Sequence, residues 1–142
     1  MLVSQVLKEK GDLVFTVAPD DSAAEAAAVL HERQVGAAVV LGPGGGVIGI
    51  FSERDLVRLV ALHGADGLQQ SVSSCMTRQV IFASPDDTID SVMARMTDRR
   101  VRHLPVLKDG RLTGLVSIGD MVKRKIAETE AERESLKAYI AA

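Results

Sequence analysis

At 142 residues, with 46% hydrophobic and 25% charged residues, the chain has the composition of an ordinary globular domain and can bury roughly 68–70% of its unfolded surface. Three Phe, one Tyr and no Trp provide no platform for stacking single-stranded nucleic acid, and a net charge of −2 gives no electrostatic reason to expect nucleic acid or a membrane as partner. The single cysteine, Cys75, rules out an internal disulfide; the N-terminus lacks the basic-then-apolar order of a signal peptide, and no apolar run approaches the roughly 18 residues of a membrane span, so the expectation is a cytoplasmic protein.

Residues 3–9 read as a short helix with Val3, Val6 and Leu7 on one face, ended by Gly11. Val14 to Val17 is a β-branched run stopped by Pro19, a strand signal. Ser22 and Glu25 have the spacing of a capping box and open an Ala-rich helix to about Arg33. Ala37 to Leu41 reads as a fully apolar strand, Gly42 to Gly46 as a turn, and Val47 to Phe51 as a second strand. Ser52 opens a helix carrying Leu56, Val57, Leu59 and Val60, and Gly64 to Gln70 reads as a loop.

The pattern then starts over. Val72 to Met76 repeats the short helix, Val80 to Ala83 the first strand, and Pro85-Asp86-Asp87-Thr88 matches Pro19-Asp20-Asp21-Ser22. A helix over Thr88–Asp98 follows, then strands at Leu104–Leu107 and Leu112–Val116 around an Asp109-Gly110 turn. Pro19 and Pro85 are 66 positions apart, Asp55 and Asp120 only 65, and the slip falls in the turn, where length change is tolerated. Units of about 60 residues are marginal alone, so the two copies are expected to bury one another. The fold class implied is α/β (α+β): tandem β-α-β-β-α repeats as a pseudo-two-fold pair, with repeat 1 over 1–70, repeat 2 over 71–125 and a helical extension over 126–142. From Ile118 to Ala142 no breaker follows Gly119. Val122, Ile126, Thr129, Arg133, Leu136 and Ile140 recur at alternating spacings of four and three, a seam fitting either a helix that covers its own domain or one at a dimer interface.

Within the repeat one stretch stands out: Gly49-Ile50-Phe51-Ser52-Glu53-Arg54-Asp55 and Gly114-Leu115-Val116-Ser117-Ile118-Gly119-Asp120. Each ends a strand and opens a helix, a turn that presents free backbone N–H groups and a positive helix end. The repeat order, together with two such turns at matching register, resembles the CBS-domain family over about residues 3–125, as a tandem CBS pair (a Bateman module). The resemblance implies a non-catalytic module that binds an adenine nucleotide in clefts between repeats. AMP is the leading ligand, with ATP, ADP, NAD(H) or S-adenosylmethionine in the same class. It further implies a homodimer and an effector protein that reads the ligand-bound arrangement.

Two readings fit the Ser-x-x-Asp spacing of Ser52/Asp55 and Ser117/Asp120. One is a reciprocal helix cap, stabilising by roughly 1 kcal/mol. In the other, which the family implies, aspartate accepts from a ribose cis-diol while serine and the helix end suit phosphate. The run Arg99 to His103 fits a solvated face, yet Arg102 and His103 match positions of phosphate-binding residues in the family. The first repeat has Gly36 and Ala37 there, so asymmetric sites are expected, with Arg54 as partial compensation. Thr16, Val17, Ala18 and Pro19, like Phe82, Ala83, Ser84 and Pro85, end the first strands. In the family their backbone reads the adenine edge.

Enzyme readings find little support. Cys75 has apolar neighbours and no partner, so it reads as a packing thiol. His31, His63 and His103 show no metal-ligand spacing. Asp20-Asp21 and Asp86-Asp87 sit at helix starts, where acids offset the dipole. Gly42 to Gly46 lacks the Lys-Ser/Thr of a phosphate-binding loop. The alternative to a nucleotide sensor is a dimerisation or partner-docking module with vestigial clefts.

Overall fold

The computed structural model describes residues 1–141 and divides into two compact units, Leu13–Ile81 and Met1–Asp12 with Phe82–Ala142.

In the unit Leu13–Ile81, strands β1 (Thr16–Val17), β2 (Ala37–Leu41) and β3 (Val47–Ser52) form a sheet in the order β1-β2-β3, β1 parallel to β2 and β2 antiparallel to β3. Helices α2 (Ala23–Arg33), α3 (Glu53–His63) and the single turn α4 (Val72–Cys75) pack with it. Ala23, Ala26 and Leu30 of α2 meet Ala38 and Val40 of β2, Phe51 of β3 and Leu59 of α3 in one apolar core, with Cys75 against its edge. The small alanines let α2 lie close to the sheet, and β2 is buried along Ala37–Val40 as its unbroken apolar run requires. Burial, and next the charge of Asp55, push the Cys75 thiol pKa up against the lowering influence of Arg58. It packs as a small hydrophobe.

In the other unit, α1 (Val3–Lys10), α5 (Ile89–Arg99) and α6 (Ile118–Ala141) surround the antiparallel pair β4 (His103–Lys108) and β5 (Arg111–Ser117). Leu104, Val106, Val116, Ile89, Val92, Met96 and Met121 are buried there with Val3 and Val6. Both units repeat local geometry. The C-caps Gln34 and Arg100 share a left-handed conformation, with φ 54° and 55°, and the hairpin register slips at Val40/Leu41 and at Val106/Leu107. The helix expected over 118–142 runs from Ile118 to Ala141, and residue 142 lies outside the described residues. No helix among the described residues is long and apolar enough to cross a membrane.

Packing divides the chain differently from the sequence repeat. The linker preceding repeat 2 packs on repeat 1: Ser71 bridges Ser22, Ala23 N–H donates to Gln70, and Val72 N–H donates to Asp21. The N-terminal linker packs on repeat 2 in the same way: Leu2 bridges Thr88, Val3 N–H donates to Asp87, and Ile89 N–H donates to Met1. Each Pro-Asp-Asp-Ser/Thr turn thus offers its backbone to a linker, and a division at 70/71 does not separate the packed units.

Two expected strands are shorter or missing. The run Val14–Val17 pairs only at Thr16 and Val17, and Val80–Ala83 is reduced to one parallel bridge, Ala83 with Val106. In the first unit Val39 N–H donates to the Phe15 carbonyl. The position equivalent to Val39 is Pro105, which has no N–H to extend the ladder toward residue 81. The Gly64–Gln70 loop is mostly a 3-10 turn, Gly64–Gln69.

The glycine of each repeated turn is explained by close approach. A Cβ on Gly114 would come within 2.6 Å of Leu7 Cδ2, and one on Gly49 within 2.5 Å of Met76 Sδ and 3.0 Å of the Thr77 carbonyl oxygen. In each unit the linker lies directly on the hairpin at this point, and a bare backbone is what lets it.

Candidate functional site: the two strand-to-helix turns

In both units the last strand residue caps the helix that follows, and Ser52 is extended (φ −126°, ψ 168°). Ser52 Oγ accepts from Asp55 N–H at 3.4 Å, and Asp55 Oδ2 accepts from Ser52 N–H at 2.9 Å. In the second turn Ser117 Oγ accepts from Asp120 N–H at 3.1 Å, and Asp120 Oδ2 accepts from Ser117 N–H at 2.9 Å. The reciprocal cap is present twice. The next residue of each turn ties back across the hairpin, Glu53 N–H to Gly36 and Ile118 N–H to Arg102. These bonds put Gly36 and Ala37 beside the first turn, and Arg102 and His103 beside the second, where His103 pairs directly with Ser117.

The two aspartates differ sharply. The Asp55 side chain is 1% exposed. Its Oδ2 accepts from Ser52 N–H and from Ser52 Oγ–H at 3.0 Å, and its Oδ1 accepts from Thr77 Oγ–H at 2.9 Å and from Arg58. Both oxygens are consumed internally. The Asp120 side chain is 25% exposed, and the Lys10 ammonium donates to its Oδ2 at 2.5 Å and to the Leu115 carbonyl at 2.8 Å. Burial raises the Asp120 pKa, but hydrogen bonds from Lys10 and Ser117 N–H, with the Lys10 charge, outweigh it and hold the carboxyl below its ordinary value. Asp120 is therefore an ionised, reachable acceptor at a helix start.

Arg102 is exposed and Arg54 lies exposed in the first turn of α3. Val17 is buried, Thr16 and Ala18 are exposed, and Phe82, Ser84 and Pro85 are half-buried. The structure keeps these segments off the turns. Thr16 pairs with Val39, two positions along β2 from Ala37, and Ala83 with Val106, three along β4 from His103. Each lies on the far side of the central strand, two strand spacings or about 9–10 Å from the Ser-x-x-Asp strand. Much of their backbone is engaged. Phe82 carbonyl accepts from Arg95 at 2.6 Å, Ala83 bonds Pro105 and Leu107, and Ala18 and Ser84 N–H donate to Asp21 and Asp87 at 2.9 and 2.8 Å. Asp21 and Asp87 therefore close local turns rather than forming acid–base pairs, and no metal-holding group of His, Cys, Asp and Glu occurs among the described residues.

Lys10, Arg58 and Thr77 are the residues that sequence reading missed. Lys10 is 110 positions from Asp120, and basic residues in a helix's last turn are ordinary complements of its dipole, so nothing marks it out.

The CBS domain model matches residues 11–62 and 72–126. A crystal structure of a CBS-domain containing protein from Agrobacterium tumefaciens is similar with TM-score 0.85 and 50% identity, covering 87% of this chain and 92% of that one. A mitochondrial CBS domain-containing protein of Arabidopsis thaliana is 35% identical over 97% of this chain and 71% of its own length. The CBS domain pair of protein MJ0100, in complex with 5′-methylthioadenosine and S-adenosyl-L-methionine, is similar with TM-score 0.77 and 25% identity, covering 87% of this chain and 98% of that one. With two matched domains, each containing the same capped strand-to-helix turn, the chain belongs to the CBS domain family as a tandem CBS pair.

Proposed function

We propose that this CBS pair is a non-catalytic regulatory module that binds an adenosine-containing ligand at the Ser117–Asp120 turn. The observation that carries the reading is Asp120: ionised, partly exposed and held by a helix cap, with the backbone of Arg102 and His103 beside its turn. A carboxylate there accepts a ribose cis-diol, while Ser117 and the start of α6 suit phosphate, for which Arg102 and His103 at the adjoining strand supply basic side chains. The adenosine compounds held by the MJ0100 pair support the ligand class. AMP leads, with ADP, ATP and NAD(H) as the alternatives. Ser52, Asp55 and Arg54 form the weaker counterpart, and the 16–18 and 82–85 segments serve the base. The output goes to an effector protein through a ligand-dependent shift in populations, and the functional unit is a homodimer.

A second reading, a docking module with vestigial ligand turns, draws on one observation: both oxygens of Asp55 are already occupied. A thermal-shift panel with AMP, ADP, ATP, NADH, S-adenosylmethionine, adenosine and GTP at about 1 mM separates the two. A ligand with a dissociation constant near 10 μM stabilises by about 2.7 kcal/mol, several degrees at this chain length. A response to adenine compounds and not to GTP is expected; a flat panel transfers the conclusion to the docking module.

A further inference from the structure

Lys10 closes α1, and its ammonium sits on the oxygen of Asp120 that also caps α6, with the Leu115 carbonyl as second acceptor. The side chain remains 35% exposed and is carried on a flexible four-carbon stem. A neutral nucleoside approaching Asp120 meets a carboxylate whose charge is already matched. Taking that acceptor for a diol breaks a charge-assisted hydrogen bond, and the displaced ammonium gains only water in return. A phosphorylated nucleoside changes the exchange, because its phosphate is attached to the same ribose and offers the ammonium a new anionic partner. We infer that Lys10 is the specificity-determining residue of this turn: it leaves Asp120 for the ligand's phosphate as the ribose hydroxyls take its place, and so selects phosphorylated over uncharged adenosine ligands.

The first turn shows what the absence of this device looks like. There the linker supplies Thr77, a neutral hydroxyl, and Arg58 of the same helix supplies the charge, leaving Asp55 buried. The exchange also loosens one tie within its unit. Lys10–Asp120, Glu9–Arg124 and the N-terminal amine with Glu128 are the ion pairs joining residues 1–10 to α6 among the described residues, and ligand binding removes the first.

The inference rests on the nucleotide reading above, and the test separates the two. Calorimetric titration of AMP and adenosine is carried out on the wild type, Lys10→Met, Lys10→Arg and Asp120→Ala. For Lys10→Met the AMP-to-adenosine affinity ratio is expected to fall at least tenfold, with adenosine binding unchanged or tighter. Lys10→Arg, which keeps the charge, is expected to hold the ratio within about threefold and covers the case of a Met variant that does not fold. A Lys10→Met ratio equal to wild type, with both ligands weakened together or neither affected, overturns the inference while Asp120→Ala still abolishes binding. Wild-type protein that binds neither ligand, or Asp120→Ala that binds AMP as wild type does, overturns the nucleotide reading itself.

Discussion

Asp55 and Asp120 occupy the same place in the same motif, and their surroundings assign them opposite work. Removing Asp55 leaves Thr77, Arg58 and the Ser52 N–H without their acceptor in a buried spot. Since Arg58 is 57% exposed and can turn to water, the loss is set by the half-buried neutral groups, about 2 kcal/mol. Asp55→Ala is therefore expected to lower Tm by several degrees while changing AMP affinity less than threefold. Asp120→Ala is expected to do the reverse, weakening AMP at least tenfold with a smaller loss of Tm, and paired melting and titration experiments decide. Finding the larger affinity loss at Asp55 would reverse the ranking of the two turns. The depressed Asp120 pKa adds a pH signature. The unfolded chain takes up this proton near pH 4 and the folded chain only at lower pH, so the stabilisation is complete above pH 4 and disappears as pH falls through the folded value. The gap in urea midpoint separating wild type from Asp120→Asn is expected to stay constant from pH 7 to 5 and to close below about pH 4. A gap that closes near neutrality would assign it to another group.

At the scale of elements, the linkers are what the sequence conceals. Helix starts, hairpins and both Ser-x-x-Asp turns were legible, because each is written within about ten residues by caps, β-branched runs and turn residues. The choice of repeat on which a linker packs depends on pairings such as Leu2 with Thr88 and Ser22 with Ser71, which leave no periodic trace. Lys10 and Thr77 were invisible as site residues for the same reason. The shortened strand at residue 83 could have been inferred from Pro105, whose missing N–H is a sequence fact. The motif glycines test how much the linker seats matter. Gly114→Ala presses on the Leu7 side-chain tip, which can turn aside, and is expected to cost about 1 kcal/mol. Gly49→Ala also meets the Thr77 carbonyl, which is backbone and accepts from Ile50 N–H, so it is expected to cost more, about 2–3 kcal/mol. Urea midpoints that rank the two variants the other way would show that the Met76 seat yields more easily than the Leu7 seat.

At the scale of the molecule, the homodimer proposal makes its sharpest demand on α6. Every residue from Ala131 to Ala141 is exposed, Leu136 at 60% and Ile140 at 75%, and the apolar seam continues upstream through Ile126 at 54% and Val122 at 39%. A 24-residue helix is about 36 Å long, and one left unpacked over its last three turns has little tertiary reason to stay helical. A second copy supplies one. Set parallel and in register, the seam positions stack on themselves, and the flanking positions place Lys125 beside Glu130 and Glu132 beside Lys137 of the other copy. Lys125 also reaches Asp90 at 3.0 Å within its own unit, and Lys137 lies 3.9 Å from Glu134 of its own helix, so each pair across the seam competes with an internal partner. Thr129 and Arg133 interrupt the seam, which makes it an adjunct to a dimer rather than a strong coiled coil by itself. A Leu136→Cys variant on a Cys75→Ser background reads the geometry directly. Parallel pairing brings the two thiols within disulfide range across the seam, and mild oxidation is expected to yield a covalent dimer that forms faster than intermolecular collision allows. Leu136→Glu with Ile140→Glu is expected to raise the dimer dissociation constant at least tenfold in sedimentation equilibrium. A dimer that persists by sedimentation while Leu136→Cys fails to cross-link would place the interface away from this helix, and the charge pattern of α6 would then belong to a different partner.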